Sequence, residues 1–467
     1  MPSSLSIYKG SLSLLTDLYQ LTMAYGYWKS KTHEKEAVFH LFFRRCPFKG
    51  EFAIASGLEA VADFINSFAF DASDIEYLSS LKGEDGTKPL FDSEFLLWLS
   101  HLHFSVDIDA VPEGSIVFPY EPILRVQGTL LECQLLETIL LNLINFPTLI
   151  ATKAARICMQ AQGDAVLEFG VRRAQGIDGA LTATRSAFIG GCTSTSHVLA
   201  GKLFGIPVKG THAHSWIMSF DDELSSFYAY AEAMPDNCVF LVDTYDTENG
   251  IRNAIKAALW LREKGKKLVG VRLDSGELAS LSMLARKLLD EAGFLDAKIF
   301  ASNELDEFRI EKLKKEGSKI SVWGVGTHLV TGKGQSALDG VYKMSAVRWP
   351  GKPWQYKMKL SEQLQKISIP GILQVKRYQK EGVMDHDVIY SILNVVPEDG
   401  EDLLIPIFRK GVLVYKFPSL IEVQAKVRVE LSRLPKEVLK LEEARSFPVK
   451  FEKNLEQLKE SFTSHAK

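Results

Sequence analysis

Cysteine is scarce, five residues in 467 (Cys46, Cys133, Cys158, Cys192 and Cys238), an odd number with no C-x-x-C pair. That argues against a disulfide framework or a structural zinc site and fits a reducing compartment. Neither sign of charge is in excess: 55 Lys and Arg face 58 Asp and Glu, a formal net charge of −3. Such balance is foreign to a chain built to coat nucleic acid or an anionic bilayer, so neither partner is expected. The sequence does not open with a basic stretch and an apolar core, the mark of a secretory signal. Its most apolar stretch, residues 138–152, is broken by Asn142, Asn145 and Pro147 and is too short to span a bilayer. No G-x-x-x-x-G-K-[ST] element occurs, so this is no P-loop ATPase. A cytoplasmic, soluble protein is the expectation.

At roughly 100–200 residues per domain the chain holds two or three domains, or one large α/β unit with additions. Three segments are expected: residues 1–145, 146–365 and 366–467. The first reads as mixed α/β. Residues 14–28 and 57–68 have helical spacing, and 37–44 alternate like a strand. The apolar run 115–126 contains Pro119 and Pro122, which demote it to edge or bent β-structure. Residues 130–162 form a long helical stretch that Pro147 must kink or divide.

From residue 165 the pattern becomes regular. A β-like run, then polar residues or glycine, then an amphipathic helix recur at roughly thirty-residue spacing, the length of one βα unit. The runs lie at 165–169, 206–208, 239–242, 268–271, 298–301, 320–323 and 340–344, with helices such as 251–264 and 278–292 between them. Such alternation implies a parallel sheet, doubly wound or closed into a barrel. Beyond Met344 the periodicity fades. The C-terminal part, with a β-like run at 411–417 and charged helical stretches near 419–431 and 448–462, reads as an accessory segment.

The residues just after each run carry the chemistry: Phe169-Gly-Val-Arg-Arg173, Gly210-Thr-His-Ala-His-Ser215, Asp243-Thr-Tyr-Asp246, Arg272-Leu-Asp-Ser-Gly276, Ser302-Asn-Glu304 and Gly324-Val-Gly-Thr327. Any one of these could be a turn or a helix cap. Parallel α/β folds place their active face at the carboxyl ends of strands, so six in succession predict one shared site. His212-Ala-His214 fits either a pair of metal ligands, as in barrel hydrolases, or a nucleophile or acid/base His oriented by Asp243 or Asp246. The Gly324–Thr327 turn offers backbone N–H groups to a phosphate. Arg272 and Asp274 are either a structural ion pair or contacts to a carboxylated or hydroxylated ligand. Glu168, inside a β-run, is read as a buried partner of an Arg.

These segments, with Leu15-Thr-Asp-Leu-Tyr-Gln-Leu-Thr-Met23, Phe42-Phe-Arg-Arg-Cys-Pro-Phe48, Thr195-Ser-His-Val-Leu-Ala-Gly201 and Lys359 to Gly371, which contains Lys-Ile-Ser-Ile-Pro-Gly, closely resemble nicotinate phosphoribosyltransferases over nearly the whole chain. The resemblance implies an incomplete TIM-like (β/α) barrel beside an N-terminal α/β domain, with a C-terminal accessory segment, working as a homodimer with shared active sites. It implies that nicotinate and phosphoribosyl pyrophosphate become nicotinate mononucleotide and pyrophosphate, with Mg²⁺ and with ATP as cosubstrate, in the first step of salvage to NAD. By the same resemblance His214 is the phosphorylated histidine and Asp243 its orienting carboxylate. Phe169 and a neighbour's Tyr19 sandwich the ring, and Arg272 and Ser215 meet its carboxylate. Arg44, Arg172, Lys343, Lys359, Gly324, Gly326 and Thr327 hold phosphates, while Asp274 and Asn303 meet ribose hydroxyls or Mg²⁺. His197 stands where relatives commonly carry Asn, and where the nicotinamide enzyme has an acidic residue. The missing carboxylate favours an acid substrate, since like charges repel. A nicotinamide-preferring enzyme of the same fold and a metal-dependent barrel hydrolase are the alternatives.

Overall fold

The computed structural model describes residues 3–359, 368–394 and 399–464. Residues 360–367 of the Lys359–Gly371 segment lie outside the described residues. The chain divides into two compact units, Lys153–Ser336 and the pair Met1–Thr152 with Ala337–Lys467.

In Lys153–Ser336 the repeating pattern becomes a parallel six-stranded sheet. Its strands are β1 (Ala165–Glu168), β2 (Ser194–Thr195), β3 (Val239–Leu241), β4 (Gly270–Leu273), β5 (Lys298–Ala301) and β6 (Val322–Val325), in the order β2-β1-β6-β5-β4-β3. Helices cover it, so its strands are short and mostly buried rather than alternating. The Thr247–Glu263 and Glu307–Lys315 helices start where the sequence supplies a cap. Asp246 accepts the Asn249 N–H and Asp306 the Arg309 N–H; each cap is worth ~1 kcal/mol. Buried Glu307 is neutralised by Lys153 at 2.7 Å and Arg156 at 3.2 Å.

Two of the expected runs behave differently. Residues 206–208 give only one parallel bridge, Val208 to Thr195, because Pro207 has no N–H to donate. Ser194–Thr195, too short to register in a periodicity scan, is the real second strand. Gly340–Arg348 does not extend the parallel sheet: it pairs antiparallel with Glu36–Phe43 in the other unit.

That unit is built on a seven-stranded sheet ordered Gln355–Tyr356, Gly340–Arg348, Glu36–Phe43, Leu124–Thr129, Asp107–Ala110, Ile405–Arg409, Val412–Leu413. The C-terminal residues therefore complete a sheet rather than append to it. Leu124–Thr129 is an inner strand, because Pro119 and Pro122 fall in the connection before it and leave its ladder intact. The long helical stretch breaks at Leu136, not at Pro147, which lies inside the helix Glu137–Gln160. Pro147 cannot donate to the Leu143 carbonyl, and Gly57 packs there: a Cβ on Gly57 would lie 2.0 Å from that oxygen. By length and composition Glu137–Gln160 would reach across a bilayer, but its apolar window is mostly buried inside the protein, as in a core helix.

Buried Arg377 pairs with Asp387 at 2.6 Å and Glu430 at 3.4 Å. Glu121, also buried, is pushed well above the ordinary carboxyl range, first by burial and then by Asp387. Native Glu121 thus keeps a proton that the unfolded chain loses, so its contribution to stability falls with rising pH by ~1.4 kcal/mol per unit until the raised pKa is reached. Glu121→Gln cannot lose that proton. Its stability relative to the parent should increase between about pH 5 and about pH 7 in denaturant titrations; a pH-independent difference would show Glu121 ionised in the native state.

Candidate active site

The carboxyl ends of the parallel strands open into one cavity of about 570 Å³. Phe169 and Arg172 enter it after β1, Ser196 after β2, and Arg272 and Asp274 from β4. Ser302, Asn303 and Glu304 follow β5, and Gly324, Gly326 and Thr327 follow β6. The segment Gly210–His214 closes one side. The convergence expected from the repeats is thus present, except that Asp243, after β3, is not on the wall.

The wall is held by a ring of polar contacts. Arg272 Nε donates to Ser302 Oγ at 2.9 Å, Nη1 to Thr211 Oγ1 at 2.9 Å, and Nη2 to Asp274 Oδ1 at 3.3 Å. Ser302 Oγ also donates to Asp274 Oδ1. Asp243 Oδ2 accepts the Asp274 N–H and the Ser275 hydroxyl, both at 2.7 Å. His214, at the start of the short helix His214–Met218, lies 3.0 Å by Nδ1 from Thr244 Oγ1 and 3.7 Å by Nε2 from Asp274 Oδ2.

His212 is built differently. Its ring is buried edge-on to Tyr230, centroids 4.8 Å apart, and Nε2 accepts the Leu241 N–H at 3.4 Å. Burial, with the Arg272 cation nearby, lowers its pKa to about 4. That backbone contact ties His212 to β3 and takes it out of the ligand pair the H-x-H spacing offered.

Three family descriptions match the chain in succession: the nicotinate phosphoribosyltransferase N-terminal domain over residues 14–145, the nicotinate phosphoribosyltransferase family over 165–364, and the C-terminal domain over 383–459. A Bacillus subtilis nicotinate phosphoribosyltransferase is 43% identical over 470 residues, covering 94% of this chain and 92% of its own. The human nicotinate phosphoribosyltransferase is 36% identical, covering 95% of each chain. The crystal structure of human nicotinic acid phosphoribosyltransferase superposes with a TM-score of 0.83 at 34% identity, over 96% of this chain and 99% of that one. The chain belongs to the nicotinate phosphoribosyltransferase family.

Within this family member the expected residues separate into those on the cavity and those elsewhere. Phe169 lies over Gly324, where a Cβ would come within 2.7 Å of its ring; only glycine leaves room for that aromatic wall. Asn303 and Glu304 line the lip with left-handed backbones, φ 83° and 45°. His197 is buried, its pKa lowered by burial, beside rather than on the wall. Ser215 points to solvent off the cavity.

The expectation that Asp243 orients His214 is corrected. Its Oδ2 is committed to Asp274 and Ser275, and the groups facing His214 are Thr244 and Asp274. Tyr19, Arg44, Lys343 and Lys359 belong to the other compact unit. There Tyr19 is half exposed, Arg44 Nε is buried without a partner, Lys343 faces Glu137 at 3.6 Å, and the Lys359 N–H donates to Ser368. Thr244, Thr211 and Arg173 were missed. Each lies within a quoted strand-end segment, but nothing in sequence says which member of a loop turns inward.

The lowered pKa of His212 makes a checkable statement. The unfolded chain takes up the proton near the ordinary value of 6.5 and the native state only at about 4, so this residue costs stability as pH falls between them. The His212 imidazole resonances should stay fixed down to about pH 5 and move near pH 4. Titration near 6.5 would mean that the ring is solvated.

Proposed function

We propose that this chain joins nicotinate to phosphoribosyl pyrophosphate, releasing pyrophosphate, and couples the reaction to ATP hydrolysis through a phosphorylated His214, as the first step of salvage to NAD. The observation that carries the reading is His214, set between Thr244 and Asp274 on a cavity that also holds an aromatic ring, Phe169, and three cations, Arg172, Arg173 and Arg272. An anionic flat ring and phosphates suit that wall better than an uncharged amide does. The sheet fits an incomplete barrel: β2-β1-β6-β5-β4-β3 is chain order taken round a circle, with Val208 bridging beyond β2. The free cysteines fit a cytoplasmic setting.

In the proposed mechanism Phe169 and Tyr19 of the partner subunit sandwich the nicotinate ring, and Arg272 faces its carboxylate. Arg272 is already held on three sides, so it presents its charge without reorganising. The nicotinate nitrogen bonds to C1 of the ribose as the C1–O bond to pyrophosphate breaks. Positive charge grows on the ribose in between, and the Asp274 carboxylate lies on the wall to stabilise it. Asn303 meets the ribose hydroxyls, and Arg172 with the Gly324–Thr327 turn meets phosphates. Mg²⁺ suits a phosphate site with few protein ligands, and Asp274, whose carboxylate is on the wall, is the residue that would hold it. It would neutralise charge on the leaving group.

ATP acts on His214. With its Nδ1–H donated to Thr244, Nε2 carries the lone pair that takes the γ-phosphoryl group as the bond to ADP breaks. The added charge and acceptor oxygens change affinity for the other substrates without touching nicotinate. His214→Ala should abolish ATP stimulation and the nucleotide-dependent label on the protein while a weak ATP-independent reaction survives; His212→Gln should keep the label. Acid-labile phosphate on the His214 variant would overturn the assignment. The shared site is tested separately. Mixing inactive Tyr19→Ala with His214→Ala, which ATP no longer stimulates, should restore part of the ATP-stimulated activity, because one site of each mixed dimer is intact. Subunits that exchange without recovering activity would rule it out.

A further inference from the structure

We propose that Glu168 is the positioning residue of the ring site. It lies at the end of β1, is 1% exposed, and has no substrate to touch, since it is not on the cavity wall. It was expected to partner an Arg, yet the groups that bond its carboxylate are uncharged donors from three separate segments. Oε1 accepts the Gly170 N–H, directly beyond Phe169. Oε2 accepts Thr195 Oγ1 at 2.6 Å, from the end of β2, and Thr184 Oγ1 at 3.0 Å, from the helix Gly176–Ile189. Its backbone carbonyl accepts the N–H of Ser196, which is on the wall, at 3.0 Å.

A carboxylate is an acceptor only, so it fixes the direction of every hydrogen bond that reaches it. Thr184 has one hydroxyl proton and two acceptors for it, Glu168 Oε2 at 3.0 Å and the Ala180 carbonyl at 2.9 Å, and its Oγ1 also lies 3.1 Å from His197 Nδ1. The His197 N–H in turn donates to Thr195 Oγ1 at 2.9 Å, whose own proton goes to Glu168. One carboxylate thus ties the Phe169–Gly170 turn to the Thr195–His197 turn. A neutral amide of the same shape cannot accept all of these bonds. With Glu168→Gln, an NH₂ group meets either the Gly170 N–H or the two threonine hydroxyls whose protons it was accepting.

The inference rests on Phe169 as the ring-stacking residue, and the test separates the two. Steady-state kinetics would be measured on the full-length protein and on Glu168→Gln, Thr184→Val and Phe169→Ala, with melting temperatures alongside. Because an unsatisfied buried donor costs about a factor of ten, Glu168→Gln should raise the nicotinate KM by about that factor. The KM for phosphoribosyl pyrophosphate should stay within about twofold, since Gly324–Thr327 and Arg172 do not bond Glu168. A nicotinate KM left unchanged, or both KM values rising by the same factor, overturns the proposal. Thr184→Val keeps the bonds from Gly170 and Thr195. Removing one of the three donors to Glu168, it should raise the nicotinate KM severalfold and leave the KM for phosphoribosyl pyrophosphate within about twofold. An unchanged nicotinate KM in Thr184→Val overturns the proposal where Glu168→Gln fails to fold. If Phe169→Ala leaves the nicotinate KM unchanged, the ring site itself is misassigned; if it raises that KM and Glu168→Gln does not, only the role of Glu168 falls.

Discussion

A parallel sheet brings its strand ends side by side but gives them no bonds to one another, because the ladder stops where the loops begin. In Lys153–Ser336 that gap is bridged by charge. Arg272 reaches from β4 to Ser302 after β5 and to Thr211, and Asp243 after β3 reaches back to the Asp274 N–H. Charge-assisted hydrogen bonds are shorter and stronger than neutral ones, and here each crosses from one strand end to the next. A guanidinium left without these partners would carry the full desolvation cost of a part-buried cation. The same contacts that make the cation tolerable therefore hold its neighbours in place, and the cavity keeps its shape for that reason.

Much of this was legible in the sequence and some of it could not be. The βα repeat was legible because the helices are long and amphipathic, and five of the six strands overlap the expected runs, β4 and β6 starting two residues later than expected. Ser194–Thr195 was not, since two residues carry no periodicity. Gly340–Arg348 looked like a further repeat because strand propensity does not report which sheet a strand joins; only pairing with Glu36–Phe43 decides that. The break at Leu136 was hidden by the stronger signal of Pro147, which lies inside the helix with Gly57 packed against the Leu143 carbonyl.

For the site, residue types were readable and directions were not. Arg272, Asp274, His214 and Phe169 announce themselves as the charged or aromatic members of strand-end loops. That His214 faces Thr244 rather than Asp243 depends on which of two adjacent residues turns inward after β3. The two histidines of His212-Ala-His214 look alike in sequence. Burial against Tyr230 and a backbone N–H make one a packing residue, while the other stays half open beside Asp274. Motif and spacing name the candidates, and desolvation sorts them.

Asn303 and Glu304 hold left-handed backbones in succession at the cavity lip, where glycine would sit without strain. Each such non-glycine conformation stores ~1–2 kcal/mol, which the rest of the fold must offset. Directed evolution for heat resistance would find glycine here early, since relaxing the lip is a short route to a more durable protein. Under the proposed role of Asn303 the protein so obtained would outlast its parent and turn over less, because the amide at the cavity lip would be gone. On that reading durability and turnover are set against each other at Asn303.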